Sequence, residues 1–137
     1  NSNLMSFARE IPVETPPKFT EAPFMHIRNE IYYLSYSHGS WRHSSYSVHY
    51  ATAPSPAGPW TYRGPILASD ETRKGPGHHS FLQDQRTGRW LIFYHRWHET
   101  GDGPYRGRRH LAIDSVEYTE EGLIRPIKMR GGPLSAE

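Results

Sequence analysis

Short runs of apolar and aromatic residues alternate along this chain with turns rich in Gly, Pro, Asn and Asp. Runs of this length that are enriched in aromatic and β-branched residues and bounded by turn formers are typical of β-strands. They predict strands at 24–27, 31–37, 47–52, 60–63, 80–83, 90–96, 110–116 and 123–127. The pattern therefore predicts an all-β protein.

The predicted strands fall into two similar groups of four. Ile31–Ser37 resembles Trp90–Arg96, since each run is rich in aromatic residues, follows a polar turn and ends in polar residues. The repeat predicts two four-stranded antiparallel blades of the propeller type, spaced about 60 residues apart. A lectin-like β-sandwich would show similar alternation, but the repeat argues against it. The predicted units are a lead-in segment at 1–20, a first blade at 21–75, a second blade at 76–130 and a C-terminal tail at 131–137.

Two blades cannot close a propeller ring, which typically contains four to eight. The open faces of the blades would expose contiguous apolar surface, which monomeric proteins rarely tolerate. We therefore expect either that further blades precede this chain or that it forms a homo-oligomer. The simplest oligomer is a two-fold dimer with four blades.

Charge and composition narrow the set of partners. The net charge is +2, with Lys and Arg scattered among acidic residues, and the local cluster of Arg106, Arg108 and Arg109 fits a solvated loop. Nucleic acid is therefore not an expected partner. The sequence has no apolar run near the roughly 20 residues needed to span a bilayer, so we expect a soluble protein with no membrane partner. The lack of cysteine excludes disulfides and cysteine-based zinc sites and leaves the cellular compartment open.

Glu21 is the first candidate for chemistry. Its neighbours Ala22, Pro23 and Phe24 offer few polar groups that would stabilise an ionised carboxylate, so this environment favours the protonated form. A general acid needs such an environment. Taken alone, Glu21 also fits an ordinary surface carboxylate at the start of a strand.

Six segments of the chain together carry a resemblance to a known family. They are Thr20–Phe24, Arg28–Ser37, Tyr50–Trp60, Gly75–Phe81, Trp90–Arg96 and Arg109–Asp114. In this order they resemble segments of glycoside hydrolase family 43, and the resemblance covers about residues 18–130. It implies a five-bladed β-propeller glycosidase of the arabinofuranosidase or β-xylosidase type. Such an enzyme would cleave arabinose- or xylose-containing plant polysaccharides or oligosaccharides with inversion, which requires one acidic and one basic carboxyl group.

The resemblance also implies roles for single residues. Glu21 matches the general acid, His78 matches a ligand of calcium or a similar cation at the propeller axis, and Arg109 matches a substrate contact. The family's two Asp residues lie in earlier blades, whereas the 20 residues before Glu21 contain Glu10 and Glu14 but no Asp in a matching context. The chain thus resembles the C-terminal part of the catalytic domain. The base would come from missing blades or from another chain.

Large side chains at the predicted strand ends complete the candidate site. Those expected to contact the sugar are Tyr36, Trp41, His95 and Trp97. Aromatic faces stack on sugar rings, although large rings at strand ends also serve in core packing. Asp114 is expected to be a structural partner of a backbone turn or an arginine, and His79 has no assigned role. The alternative function is a non-catalytic half-propeller that binds carbohydrate or supports assembly.

Overall fold

The structure, a computed structural model, describes residues 5–130, and this part of the chain contains strands and turns but no helix. The strands of the first sheet are β1 (Glu21–Arg28), β2 (Ile31–His38), β3 (Ser47–Ala53) and β4 (Thr61–Leu67). Those of the second sheet are β5 (Arg73–Gln83), β6 (Trp90–His98) and β7 (His110–Val116). Both sheets are antiparallel meanders in chain order, so the predicted all-β fold with two blade-type sheets is confirmed. Within the same residues, no helix is long and apolar enough to cross a membrane.

The predicted fourth strand of the second unit, at 123–127, is wrong. In the described part of this segment the only ladder contact is an isolated antiparallel bridge between Tyr118 and Ile124. The segment instead crosses to the first sheet, where the Ile124 N–H donates to the Tyr50 hydroxyl at 3.0 Å and the Ile127 N–H donates to the Ile66 carbonyl at 2.7 Å. Pro126 has no N–H to donate to a ladder, which disfavours a regular strand here. The predicted tail at 131–137 lies outside the described residues.

The hydrophobic core lies between the two sheets. Its buried side chains include those of Tyr33, Val48, Tyr50, Ile66, Leu67, Phe81, Ile92 and Tyr94. In β7 buried residues alternate with more exposed ones, as the two-residue period of a strand requires, whereas β3 is buried along its whole length. The packing of β5 against β1, β2 and β3 fixes one sheet relative to the other.

Two histidines are buried in this interface between the sheets. The ring of His26 stacks on Tyr33 of its own sheet and on Phe81 of the second sheet, each at a centroid distance of 4.7 Å. Burial lowers the pKa of His26 to about 4. His79, which sequence reasoning left unassigned, lies 2.6 Å through Nε2 from the Ser35 hydroxyl, and burial lowers its pKa to about 3. Both side chains are therefore neutral packing groups near neutral pH.

Candidate active site

The candidate site lies at one end of both sheets. Because neighbouring strands are antiparallel, the end of one strand lies beside the start of the next. The strand positions that meet at this end are the start of β1, the end of β2, the residue before β3, the middle of β5, the end of β6 and the residue before β7. The predicted site residues that this topology gathers are Glu21, Trp41, His78, His95, Trp97 and Arg109. The first sheet supplies the carboxylate, and the second supplies most of the cationic and imidazole groups.

Glu21 is placed by an irregularity at the start of β1. Glu21 pairs with Ser37 and Phe24 pairs with Ser35, so β1 contains one residue more than the facing part of β2. Ala22 in this bulge has a φ of 55°, which is uncommon for a residue with a side chain. Bulges beside functional sites re-aim single side chains. The Glu21 side chain is exposed and is not enclosed by its apolar neighbours, contrary to the expectation from its flanking sequence.

Tyr46 is the direct partner of Glu21. Its hydroxyl donates to Glu21 Oε1 at 2.6 Å, and its ring is fully buried. Burial first and the hydrogen bond to Glu21 second raise the pKa of Tyr46 to about 12, so it remains a donor across the working pH range of most enzymes. Gly77 makes room for the ring, because a Cβ at this position would lie 2.2 Å from the Tyr46 Cε1.

His95 and Arg109 form a second pair on the other sheet. The Arg109 guanidinium donates to His95 Nε2 at 2.9 Å. Because arginine can only donate, the neutral imidazole must carry its proton on Nδ1, an atom that is buried and has no hydrogen-bond partner among the described residues. Burial, followed by the positive charge of Arg109, lowers the pKa of His95 to about 4. In the described part of the chain Arg109 forms no ion pair with Glu21.

Trp41 and Trp97 form an aromatic pair beside Arg109. Their rings stack at 6.2 Å, and the Trp97 indole N–H donates to the Trp41 carbonyl at 2.9 Å. Trp97 is buried, whereas Trp41 is 44% exposed and has the Arg109 guanidinium 4.9 Å from its ring centroid. Trp41 is therefore the ring that a ligand can reach, and the buried ring of Trp97 packs against it.

Two loops carry these groups and are hydrogen-bonded to each other. Arg42 donates from Nε to the Tyr105 carbonyl at 3.0 Å, and the Tyr105 N–H returns a bond to the Arg42 carbonyl at 2.7 Å. The Ser44 hydroxyl donates to Asp102 Oδ1 at 2.8 Å. These contacts join the loop at 39–46, which carries Trp41, to the loop at 99–109, which carries Arg109.

His78 lies at the same end with its side chain exposed and its ring 6.2 Å from that of His95. Calcium prefers six to eight oxygen ligands, whereas His78 offers one nitrogen. Among residues 5–130 no group of three or more His, Asp or Glu side chains lies close enough to hold a metal ion. The described residues alone therefore do not fit a calcium site.

Two residues lie away from this group. Tyr36 is fully buried, and its hydroxyl donates to the Pro17 carbonyl at 2.8 Å, so the structure does not bring it to the predicted sugar site. Asp114 is buried, and its Oδ2 accepts from the Tyr94 hydroxyl at 2.6 Å while its Oδ1 accepts from the Arg130 N–H at 3.2 Å. Asp114 is thus a structural partner, as expected.

Sequence reasoning missed Tyr46. Nothing in the local sequence distinguishes it from other strand-flanking tyrosines, because its role depends on the β1 bulge and on a glycine 31 positions later in β5. The one usable hint was Gly77 itself, since a glycine within a strand often marks the close approach of another group.

The chain matches the model of a known protein family. The model of glycosyl hydrolases family 43 matches residues 3–124. The chain belongs to this family. The resemblance inferred from the six sequence segments is thereby confirmed, and the two sheets are blades of the propeller fold of family 43 enzymes.

Relatives of the family 43 chain include a β-xylosidase of Xylanibacter ruminicola, 33% identical over 120 residues that make up 88% of this chain and 34% of the relative. A β-D-galactofuranosidase of Aspergillus niger is 36% identical over 118 residues, with coverage of 84% and 34%. Among solved structures, a thermostable family-43 glycoside hydrolase superposes with a TM-score of 0.67 at 29% identity, covering 85% of this chain and 39% of that one. The chain therefore spans about a third of the length of these curated relatives.

Proposed function

We propose that this chain supplies the acid side of an inverting glycosidase site, with Glu21 as general acid. The observation that carries the proposal is the 2.6 Å hydrogen bond from Tyr46 to Glu21 Oε1 at the sheet end where Arg109, His95 and Trp41 also gather. A single oriented carboxyl group beside cationic and aromatic side chains fits protonation of a glycosidic oxygen.

In the proposed reaction the proton on Glu21 passes to the glycosidic oxygen as the bond from that oxygen to the anomeric carbon breaks. A water molecule attacks the same carbon from the opposite face and gives its proton to a basic carboxylate. The acid and base carboxyl groups of inverting enzymes lie roughly 6.5 to 9.5 Å apart, which leaves room for the water. We propose that the base comes from blades outside residues 5–130 or from another chain.

The proposed substrates are oligosaccharides or polysaccharides that contain xylose or arabinose. Trp41 offers an exposed aromatic face, and the Arg109 guanidinium has donors left beyond its bond to His95 that suit sugar hydroxyls. The two relatives are named for different sugars, xylose and galactofuranose. A panel of 4-nitrophenyl xyloside, arabinofuranoside and galactofuranoside therefore tests the choice of sugar.

The decisive experiment replaces the acid in the catalytically active form of the protein. We expect Glu21→Gln to slow hydrolysis of an unactivated oligosaccharide by a factor of roughly 100 to 10,000, and to slow hydrolysis of an activated aryl glycoside far less. Glu120→Gln, at an exposed turn position, serves as the matched control and should leave both rates unchanged. Unchanged turnover of the oligosaccharide by the Glu21 variant would refute the assignment.

A second candidate function applies to the chain on its own. The exposed ring of Trp41 beside the Arg109 guanidinium favours a half-propeller that binds carbohydrate without cleaving it. Calorimetric binding of xylo-oligosaccharide with no release of reducing sugar would support this function. Turnover by the isolated chain would exclude it.

A further inference from the structure

Glu21 is the end of a series of polar contacts that begins on the other sheet. The His78 backbone N–H donates to the Ser37 hydroxyl oxygen at 2.9 Å. Ser37 is close enough to the Tyr46 phenol to oppose the rise in the Tyr46 pKa that burial causes. Tyr46 in turn donates to Glu21 Oε1 at 2.6 Å. The hydrogen bond that reaches the carboxylate is the one donated by Tyr46, so its hydroxyl is the group that orients Glu21.

The Tyr46 ring has little freedom to move. It is fully buried, it stacks on His95 at 5.8 Å with an interplanar angle of 5°, and it occupies the space that a side chain at Gly77 would need. The hydroxyl of such a ring is a fixed point against which an exposed and flexible glutamate can be oriented. The Tyr46 ring therefore also links the carboxylate of the first sheet to the imidazole of the second.

We infer that Tyr46 is the positioning residue of Glu21: it reserves Oε1 as a hydrogen-bond acceptor, so that the acidic proton resides on Oε2 and is presented to the glycosidic oxygen. This inference rests on the proposed function of Glu21. The role falls to Tyr46 because Arg109, the charged alternative, is engaged with His95 and forms no ion pair with Glu21 in the described part of the chain.

The test is Tyr46→Phe, which removes the hydroxyl and keeps the ring. In the active form of the protein we expect kcat for an unactivated oligosaccharide to fall about tenfold to a hundredfold, with KM nearly unchanged. For a dinitrophenyl glycoside, whose leaving group needs no proton, we expect a change of less than about threefold. Tyr62→Phe is the matched control, because that hydroxyl lies 2.7 Å from His49 Nδ1 in the same sheet and outside the site. It should alter neither rate.

A double variant separates positioning from a general structural effect. If Tyr46 acts through Glu21, adding Tyr46→Phe to Glu21→Gln should cost no further activity, because the two changes remove the same step. The inference would be overturned if the loss of activity in the double variant equalled the product of the two single losses. It would also be overturned if Tyr46→Phe slowed hydrolysis of both substrates equally. Ser37→Ala gives a second approach that leaves the ring untouched, and it should show the same dependence on leaving group with a smaller, roughly threefold effect.

The outcomes also distinguish this inference from the function on which it rests. If Glu21→Gln loses oligosaccharide hydrolysis while Tyr46→Phe and Ser37→Ala do not, Glu21 remains the acid and the positioning role of Tyr46 is refuted. If Glu21→Gln has no effect, the assignment of the acid fails, and the positioning role fails with it.

Discussion

Acid should weaken the packing between the two sheets, and His26 makes the effect measurable. Burial lowers the pKa of His26 from 6.5 to about 4. The unfolded chain therefore takes up a proton at His26 below about pH 6.5, whereas the folded chain does so only below about pH 4. The stability that this residue contributes is complete above pH 6.5 and is lost as the pH falls toward 4.

The loss of folding free energy can be calculated from the change in the pKa of His26. A difference of two and a half pKa units corresponds to about 3 kcal/mol over the whole window, of which about 2 kcal/mol is lost between pH 7 and pH 5. His79 shifts in the same direction, to about 3, and adds to the loss. Charging either ring places a cation between aromatic groups that come from both sheets, as the contacts of His26 with Tyr33 and Phe81 illustrate.

The assay is urea unfolding at pH 7 and pH 5, followed by tryptophan fluorescence. His26→Phe keeps an aromatic ring and removes the titration, so the variant should lose about 2 kcal/mol less than the wild type between these pH values. It should be less stable than the wild type at pH 7, because the Tyr118 hydroxyl loses its partner at 2.8 Å. His110→Gln, an exposed histidine, is the control. Equal losses in the wild type and the His26 variant would refute the reasoning.

Two further predictions concern partners of the chain. Calcium at millimolar concentration should raise the melting temperature of the active form, and His78→Ala should abolish the rise if His78 joins oxygen ligands from outside residues 5–130. Equal rises in both proteins would argue against a cation at this imidazole. The isolated chain should self-associate, because Leu82 and Leu111 on the outer face of the second sheet are 52% and 77% exposed. A compact monomer by light scattering at micromolar concentration, with no binding of a hydrophobic dye, would contradict this prediction.

The fold was largely predictable because its determinants are local. Alternation of apolar and polar residues marked seven of the strands, six of them to within four residues of their observed ends, whereas β5 begins seven residues before the predicted 80–83. The strand prediction at 123–127 was wrong because the local pattern is that of a strand, whereas the backbone here forms hydrogen bonds with residues of the first sheet. The Tyr33 hydroxyl donates to the Gly122 carbonyl at 2.6 Å, and the Tyr50 hydroxyl accepts from the Ile124 N–H. Both tyrosines belong to the first sheet. Contacts between residues so distant in sequence do not affect the local pattern of apolar and polar residues.

The site was predictable only in part, for a similar reason. Family motifs pointed to Glu21 and Arg109, and the structure brings both to the same end of the sheets. The motifs did not reveal which groups contact them. Arg109 donates to His95 and not to Glu21, and the hydroxyl of Tyr46 is the group that contacts Glu21. Which pairs form is decided by a one-residue bulge and by the absence of a Cβ at Gly77, and both are effects of packing.

The division of the site between two sheets links its chemistry to the stability of the interface. Glu21 belongs to the first sheet and Arg109 to the second. Tyr46 bridges the two sheets, because its ring stacks on His95 and its hydroxyl donates to Glu21. Productive geometry at such a site tolerates errors of only about 0.5 Å. A small slip of one sheet over the other would therefore misplace Glu21, the proposed acid, relative to Arg109 before the chain unfolds. Loosening around His26 should thus reduce hydrolysis at a pH where most molecules are still folded.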